Sequence, residues 1–149
     1  MKEYSFLDVS LIVNGQPMED WPDGDDIITA SRLEDTFSHM TGADGRMLVI
    51  RNANRAGQFV FRLQQSGRGS EFLSELVLSH EVGLYIPVAV QMTDLRGDDV
   101  GTGSRGYITK PADMTRGMGI NANEWTIIVE ELYLKHGSGN ELTSNFGAA

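Results

Sequence analysis

The string GTGSRG (Gly101–Gly106) reads GxGxxG, the glycine pattern with which dinucleotide-binding enzymes cradle a pyrophosphate. That chemistry needs a buried strand before the glycines and a helix after them, whose first amides hold the phosphates. The flanks supply neither. Tyr107, Ile108 and Thr109 favour strands, and Pro111 stops a helix almost at once. Upstream, DLRGDDV (Asp94–Val100) carries three acids and turn-forming residues where an apolar strand would be needed. Glu124 stands near the distance of a ribose-binding acid, but no βαβ unit lies between. The string is read as a glycine-rich connection between strands, and no nucleotide is expected there. Arg96-Gly97-Asp98 spells an adhesion tripeptide, and its three residue types make it a turn.

Other constellations fail on spacing. His39, His80 and His136 are isolated, without the HxH or HExxH pairing of a zinc site. His80 falls at the end of a helical pattern, where partial positive charge suits the dipole. A GxSxG elbow is missing, so serine hydrolysis has no nucleophile. The acids of DGDD (Asp23–Asp26) are too compressed for a calcium loop, which wants DxDxDG and a distal Glu. With 21 acids in the chain, close carboxylate pairs arise by chance and do not indicate glycoside hydrolysis. There is no cysteine, which excludes disulfides and thiolate metal sites. The reading is a non-enzymatic protein with no cofactor and no metal.

The chain has 149 residues, enough for one domain with a single core. Twelve basic against 21 acidic residues leave a net charge of −9. Such a surface repels nucleic acid, because affinity for phosphate backbones comes largely from Lys and Arg. No apolar run is long enough to span a membrane, so no membrane anchor is expected. Glu3 and Asp8 speak against a signal peptide.

The elements that would carry any site are mostly of period two. Leu7, Val9, Leu11 and Val13 share a face, and Asn14-Gly15 follows as a hairpin turn. A short strand is expected around Ile27–Ser31, then a polar loop over Leu33–Gly45. Arg46–Asn52 is apolar and Gln58–Gln64 alternates; NANRAG between them predicts a hairpin joining the two. Phe72, Leu73, Leu76 and Val77 form a helical stripe, with Ser70 as N-cap and Gly83 as terminator, giving a helix around Ser70–Val82. Further strands are expected at Tyr85–Thr93, near Arg105–Lys110, and over Glu124–Leu134, the longest. In that last strand Trp125, Ile127, Val129 and Tyr133 share one face. The aromatics Tyr4, Phe6, Phe59, Phe61 and Trp125 suit core packing. The fold class is mainly β: an antiparallel β-sandwich or barrel of about seven strands with one lateral helix. Residues 1–134 form its single β domain, and 135–149, lacking periodicity, a flexible or partner-ordered tail.

The ordered set of features resembles the inner tail-tube proteins of contractile-tailed bacteriophages. Three stretches carry the likeness: YSFLDVSLIVNG at the start, ADGRMLVIRNANRAGQFVFRLQQSGRGSEFLSEL in the centre, and GYITKPADMTRGMGINANEWTIIVEELYL near the end. The acidic PMEDWPDGDD loop, with Trp21, departs from the pattern. The resemblance implies hexameric rings stacked into the tube through which DNA is ejected. It also implies sheath, tape-measure and baseplate proteins as partners, DNA in transit without specific binding, and a place in the virion tail after assembly in the host cytoplasm. The long polar segment suggests contacts between stacked rings through Glu34, Asp35, Phe37, His39 and Met40. Phe59, Phe61, Trp125, Ile127 and Val129 are assigned to the core or a subunit junction. Two further readings stay open at this point: the tube of a contractile bacteriocin or secretion apparatus, and a carbohydrate-binding or adhesion sandwich using Trp21 and Tyr107.

Overall fold

A computed structural model describes residues 4–24, 26–94 and 97–137. Among these, eleven antiparallel strands and one α-helix form two open sheets and a separate two-stranded ribbon. The first sheet holds β1 (Val9–Val13), β2 (Gln16–Pro17), β7 (Val90–Asp94), β8 (Asp99–Gly103) and β11 (Leu132–Lys135), in the order β11-β8-β7-β1-β2. The second holds β3 (Ile28–Arg32), β6 (Gly57–Gln64), β9 (Gly106–Ile108) and β10 (Ala122–Val129), in the order β3-β6-β10-β9. The ribbon pairs β4 (Phe37–Thr41) with β5 (Met47–Arg51). The mainly β expectation with one helix holds; the strands are more numerous and shorter than seven, and no barrel closes.

Period-two patterning places the core between the two sheets. Phe59, Phe61 and Leu63 of β6 pair with Ile127, Trp125 and Asn123 of β10, so one face of the second sheet is a continuous buried surface. Leu11, Val13, Val90 and Leu132 of the first sheet belong to the same core cluster. The glycines of GTGSRG are explained here. A Cβ on Gly103 would stand 2.7 Å from Val129, and one on Gly106 would stand 2.5 Å from the Ile128 carbonyl. Gly103 in β8 faces Val129 of the other sheet too closely for a side chain, Gly106 in β9 is crowded by its own neighbour β10, and Gly101 in β8 is merely tight against Leu134 at 3.2 Å. The connection between strands read from the sequence is confirmed.

The helix α1 (Arg68–Glu81) buries Leu73 and Val77. It ends in a Schellman motif: the Gly83 amide donates to the His80 carbonyl and the Leu84 amide to Ser79, with Gly83 at φ 95°. Gly67, not Ser70, is the N-cap. Ser70 is buried inside the helix, where its hydroxyl accepts from Trp125 Nε1 (3.3 Å) and Asn123 Nδ2 (3.1 Å). The Asn14-Gly15 turn is as expected, with both residues at positive φ.

Three expectations are corrected. The strand read as Glu124–Leu134 breaks at Glu130-Glu131, where the chain leaves the second sheet and enters the first. Tyr133 consequently faces out and does not share the face of Trp125. The strand read from Tyr85 begins only at Val90, since Leu84–Pro87 runs as an exposed connection. β5 does not pair with β6: it pairs with β4, in the segment read as a loop, and β6 pairs with β3 and β10. At the C-terminus β11 includes Lys135, and the Gly137 amide donates to the Asp99 carboxylate at 2.6 Å. The remainder of the expected tail, 138–149, lies outside the described residues.

Candidate assembly surface

The feature that stands out from the sandwich is the β4–β5 arm. It continues the β3–β6 pairing outward. Arg32 stands opposite Gly57, and the Leu33 amide still donates to the Ala56 carbonyl. The next contact is Asn52 N to Thr36 O, so one strand has advanced three residues and the other four. The extra residue makes a bulge-like irregularity, at which the ladder of the sheet ends and that of the separate ribbon begins. Side-chain oxygens fix it: Asn52 Oδ1 accepts from the Asn54 amide and Asn54 Oδ1 from the Ala56 amide, at 3.0 and 3.1 Å.

The base of the arm is tied to the corner between β10 and β11. Arg32 donates from Nε and Nη2 to the Leu132 carbonyl and from Nη1 to Thr36 Oγ1, at 2.8–3.2 Å. Arg55 pairs with Glu131 at 3.1 Å, and Asn52 Nδ2 donates to Glu34 Oε2 at 2.8 Å. At the tip, the Gly42 amide donates to the Arg46 carbonyl, and Gly45 adopts φ 83° to close the turn.

All ten strand residues of the arm are exposed. Phe37, Met40, Met47, Leu48 and Val49 are each more than half exposed, and Ile50 is 41% exposed. The register puts Phe37, His39, Thr41, Met47, Val49 and Arg51 on one face and Ser38, Met40, Leu48 and Ile50 on the other. Both faces are therefore apolar in water. A lone two-stranded ribbon is at best marginally stable, so within the chain this one depends on its anchored base.

The comparisons with known proteins give the family of the chain. The family model for the Bacteriophage PhiTE tail tube protein matches residues 1–132. The chain belongs to this tail tube family. The family is structural and a component of the virion tail, and this chain has a tail-tube structural role. No curated protein sequence matches the chain.

Three solved structures share the fold of this tail tube chain. The sheath/tube terminator of the PVC extracellular contractile injection system in the extended state aligns with a TM-score of 0.64 at 9% identity, covering 91% of this chain and 98% of the other. A chain of the sheath-tube complex of that system gives 0.57 at 12% identity, with coverages of 86% and 88%. The tube-terminating cap of the anti-feeding prophage gives 0.59 at 10%, with coverages of 92% and 93%.

The remaining residues singled out from the sequence are dispersed. Of the five placed at ring contacts, Phe37 and His39 share one face of the arm, Met40 lies on the other, Glu34 sits at the base, and Asp35 is exposed beside the bulge. Phe59, Phe61, Trp125, Ile127 and Val129 are all buried. Trp21 stacks edge-on against Phe6 and Phe61, lining the seam between the sheets, whereas Tyr107 lines a separate cleft with Tyr85. The two do not form a sugar platform. Gly97 and Asp98 close a turn onto Asp94; Arg96 lies outside the described residues. The three histidines are apart: one on the arm, one at the helix end, one at the seam. Among the described residues no three His, Asp or Glu stand close enough to hold a metal ion. No helix among them is long and apolar enough to cross a membrane.

Sequence reasoning missed β5 as part of the site. Met47, Leu48, Val49 and Ile50 are an apolar run without alternation, the pattern of a strand buried on both faces. The available signal was the neighbouring FSHMT, which is too polar to cover such a strand within the same chain.

The outward face of the second sheet is chemically different from the arm. Thr29, Ser31, Gln58, Gln64 and Thr126 are neutral, and no lysine appears on these strands. Arg62 and Glu124, its two charged residues, are direct register partners. Arg51 lies on the exposed arm opposite Phe37.

Proposed function

We propose that the chain is the repeating subunit of a phage tail tube, closing into hexameric rings that stack along one axis. The β4–β5 arm is the ring-on-ring contact, and residues 1–134 act as one β unit within each ring. The tape-measure protein and then DNA occupy the lumen, sheath subunits the outside and the baseplate one end. Assembly takes place in the host cytoplasm. The observation that carries this reading is the arm: six large apolar side chains held clear of the body, in a member of the tail tube family, call for a protein surface. Heterologous contacts that close give rings, and those that repeat along an axis give tubes. The neutral outward face of the second sheet suits a lumen wall, because it offers phosphates few cations to bind. Negative-stain microscopy of the concentrated chain tests the reading. Rods or rings of uniform diameter are expected; dispersed monomers at all concentrations would refute it.

A further inference from the structure

We infer that each arm inserts between two other copies of this chain, one against each face, so that every arm bridges three chains. The inference rests on the tube reading above and specifies how its stacking contact is built.

The register gives the arm two apolar faces. Met40 stands opposite Leu48 and Ser38 opposite Ile50, which makes one apolar face; Phe37, Val49 and Met47 make the other. Both are exposed to water by similar amounts. Burial of apolar surface is the main gain in protein association. An arm laid flat on one neighbour would bury one face and leave the other in water, so half of its apolar side chains would have no cause to be apolar. The two faces of a ribbon point in opposite directions, and covering both requires a slot. Among the described residues, the seam lined by Trp21, Ile28, Ala30 and Leu134 is a concavity of about 840 Å³. That volume is ligand-sized and does not accept a two-stranded ribbon. The junction between two adjacent copies supplies the slot that one copy lacks.

Two observations make the occupants copies of this chain. The arm, residues 37–51, contains Arg46, Arg51 and Asp44, a net charge of +1. The whole chain carries −9, so the remainder carries −9 − 1 = −10, opposite in sign to the arm. The chain also exposes a second apolar surface elsewhere: Leu78, Val82, Leu84, Tyr85 and Ile86, at the end of the helix and in the connection after it. An interface needs apolar surface on both sides, and this chain supplies both.

The chain contains no cysteine, so introduced thiols are unique. Leu48→Cys and Val49→Cys are neighbours in sequence that point to opposite faces. Each variant, and the double variant, is labelled with benzophenone maleimide, diluted into a large excess of unlabelled chain, assembled into rods and irradiated. Each single label should give a two-chain product, and the double label a three-chain product. A double label that stops at two chains shows one copy covering both faces and overturns the inference. So does a product from only one of the single labels. If the unlabelled chain forms no rods, the tube reading fails and takes this inference with it; rods in which the double label yields only two-chain products refute the inference alone. Should labelling keep a chain out of rods, Leu48→Ser and Val49→Ser are compared unlabelled. Each should raise the concentration needed for rods about tenfold, and rods unchanged in either variant overturn the inference.

Discussion

At the scale of single residues, the side chain that joins helix to sheet is Ser70. Its hydroxyl is the described partner of two buried donors, Trp125 Nε1 and Asn123 Nδ2. Ser70→Ala removes both acceptor contacts without creating a large cavity. Leaving a buried donor unsatisfied costs about 1–3 kcal/mol, so a loss of about 2–4 kcal/mol is expected in urea unfolding. In a Trp125→Phe background the indole N–H is gone, and the same substitution should cost less; equal costs in both backgrounds would mean the indole bond contributes nothing. Trp125→Ala itself should destabilise by about 3–5 kcal/mol through the cavity it leaves. Gly103→Ala should also destabilise, by about 1–3 kcal/mol, because its methyl meets Val129 at 2.7 Å. Much of this was legible in the sequence. Phe59, Phe61, Trp125, Ile127 and Val129 alternate cleanly, and they are buried. Ser70 was not legible: a serine before a helical stripe reads as a cap, and only the packing of α1 on β10 shows that its hydroxyl serves another strand.

At the scale of elements, the arm separates folding from assembly. It adds no residue to the core cluster, so its apolar side chains contribute nothing to the core of one chain. Phe37→Ser with Met40→Ser strips one large side chain from β4 on each face of the arm. The circular dichroism spectrum and melting temperature of the double variant should therefore stay within a degree or two of the parent, on the scale of surface substitutions. Rods should disappear. If each side chain contributes about 1 kcal/mol at the contact, the loss is summed over every copy in a ring, and ring-on-ring affinity falls by several powers of ten. Full-length rods from the variant would remove the arm from the stacking contact; a variant that fails to fold would place it in the core. The sequence concealed this element for a physical reason. Periodicity detects a strand only when one face is buried and the other wet in the same chain. Here neither face is buried within the chain, so β4 looked like loop and β5 like core. The split of β10 from β11 did leave a mark, two adjacent acids at Glu130-Glu131, across which the buried positions shift from odd (Trp125, Ile127, Val129) to even (Leu132); reading one strand through them put Tyr133 on the wrong face.

At the scale of the whole molecule, charge opposes what apolar surface promotes. The total of −9 was readable from composition alone; its distribution was not, and the fold shows an arm of +1 on a body of −10. Two copies approaching each other therefore feel a short-range attraction at the arm and a longer-range repulsion between bodies. The magnitudes decide between them. The body-to-body product of charges is about ten times the arm-to-body product, so repulsion dominates wherever screening is weak. The Debye length is about 30 Å at 0.01 M salt, comparable with the size of a domain, and about 10 Å at 0.1 M. Raising salt over that range should remove most of the body-to-body repulsion while leaving the apolar contacts of the arm intact. The concentration at which rods appear should thus fall steeply from 0.01 M to 0.1 M salt and change little above it (light scattering followed by microscopy measures it). Substituting Arg46→Gln and Arg51→Gln should weaken assembly at low salt and matter less at high salt, since only the short-range attraction is lost. A parent chain whose rods dissolve as salt rises would show the opposite balance, with ion pairs and not apolar burial holding ring to ring.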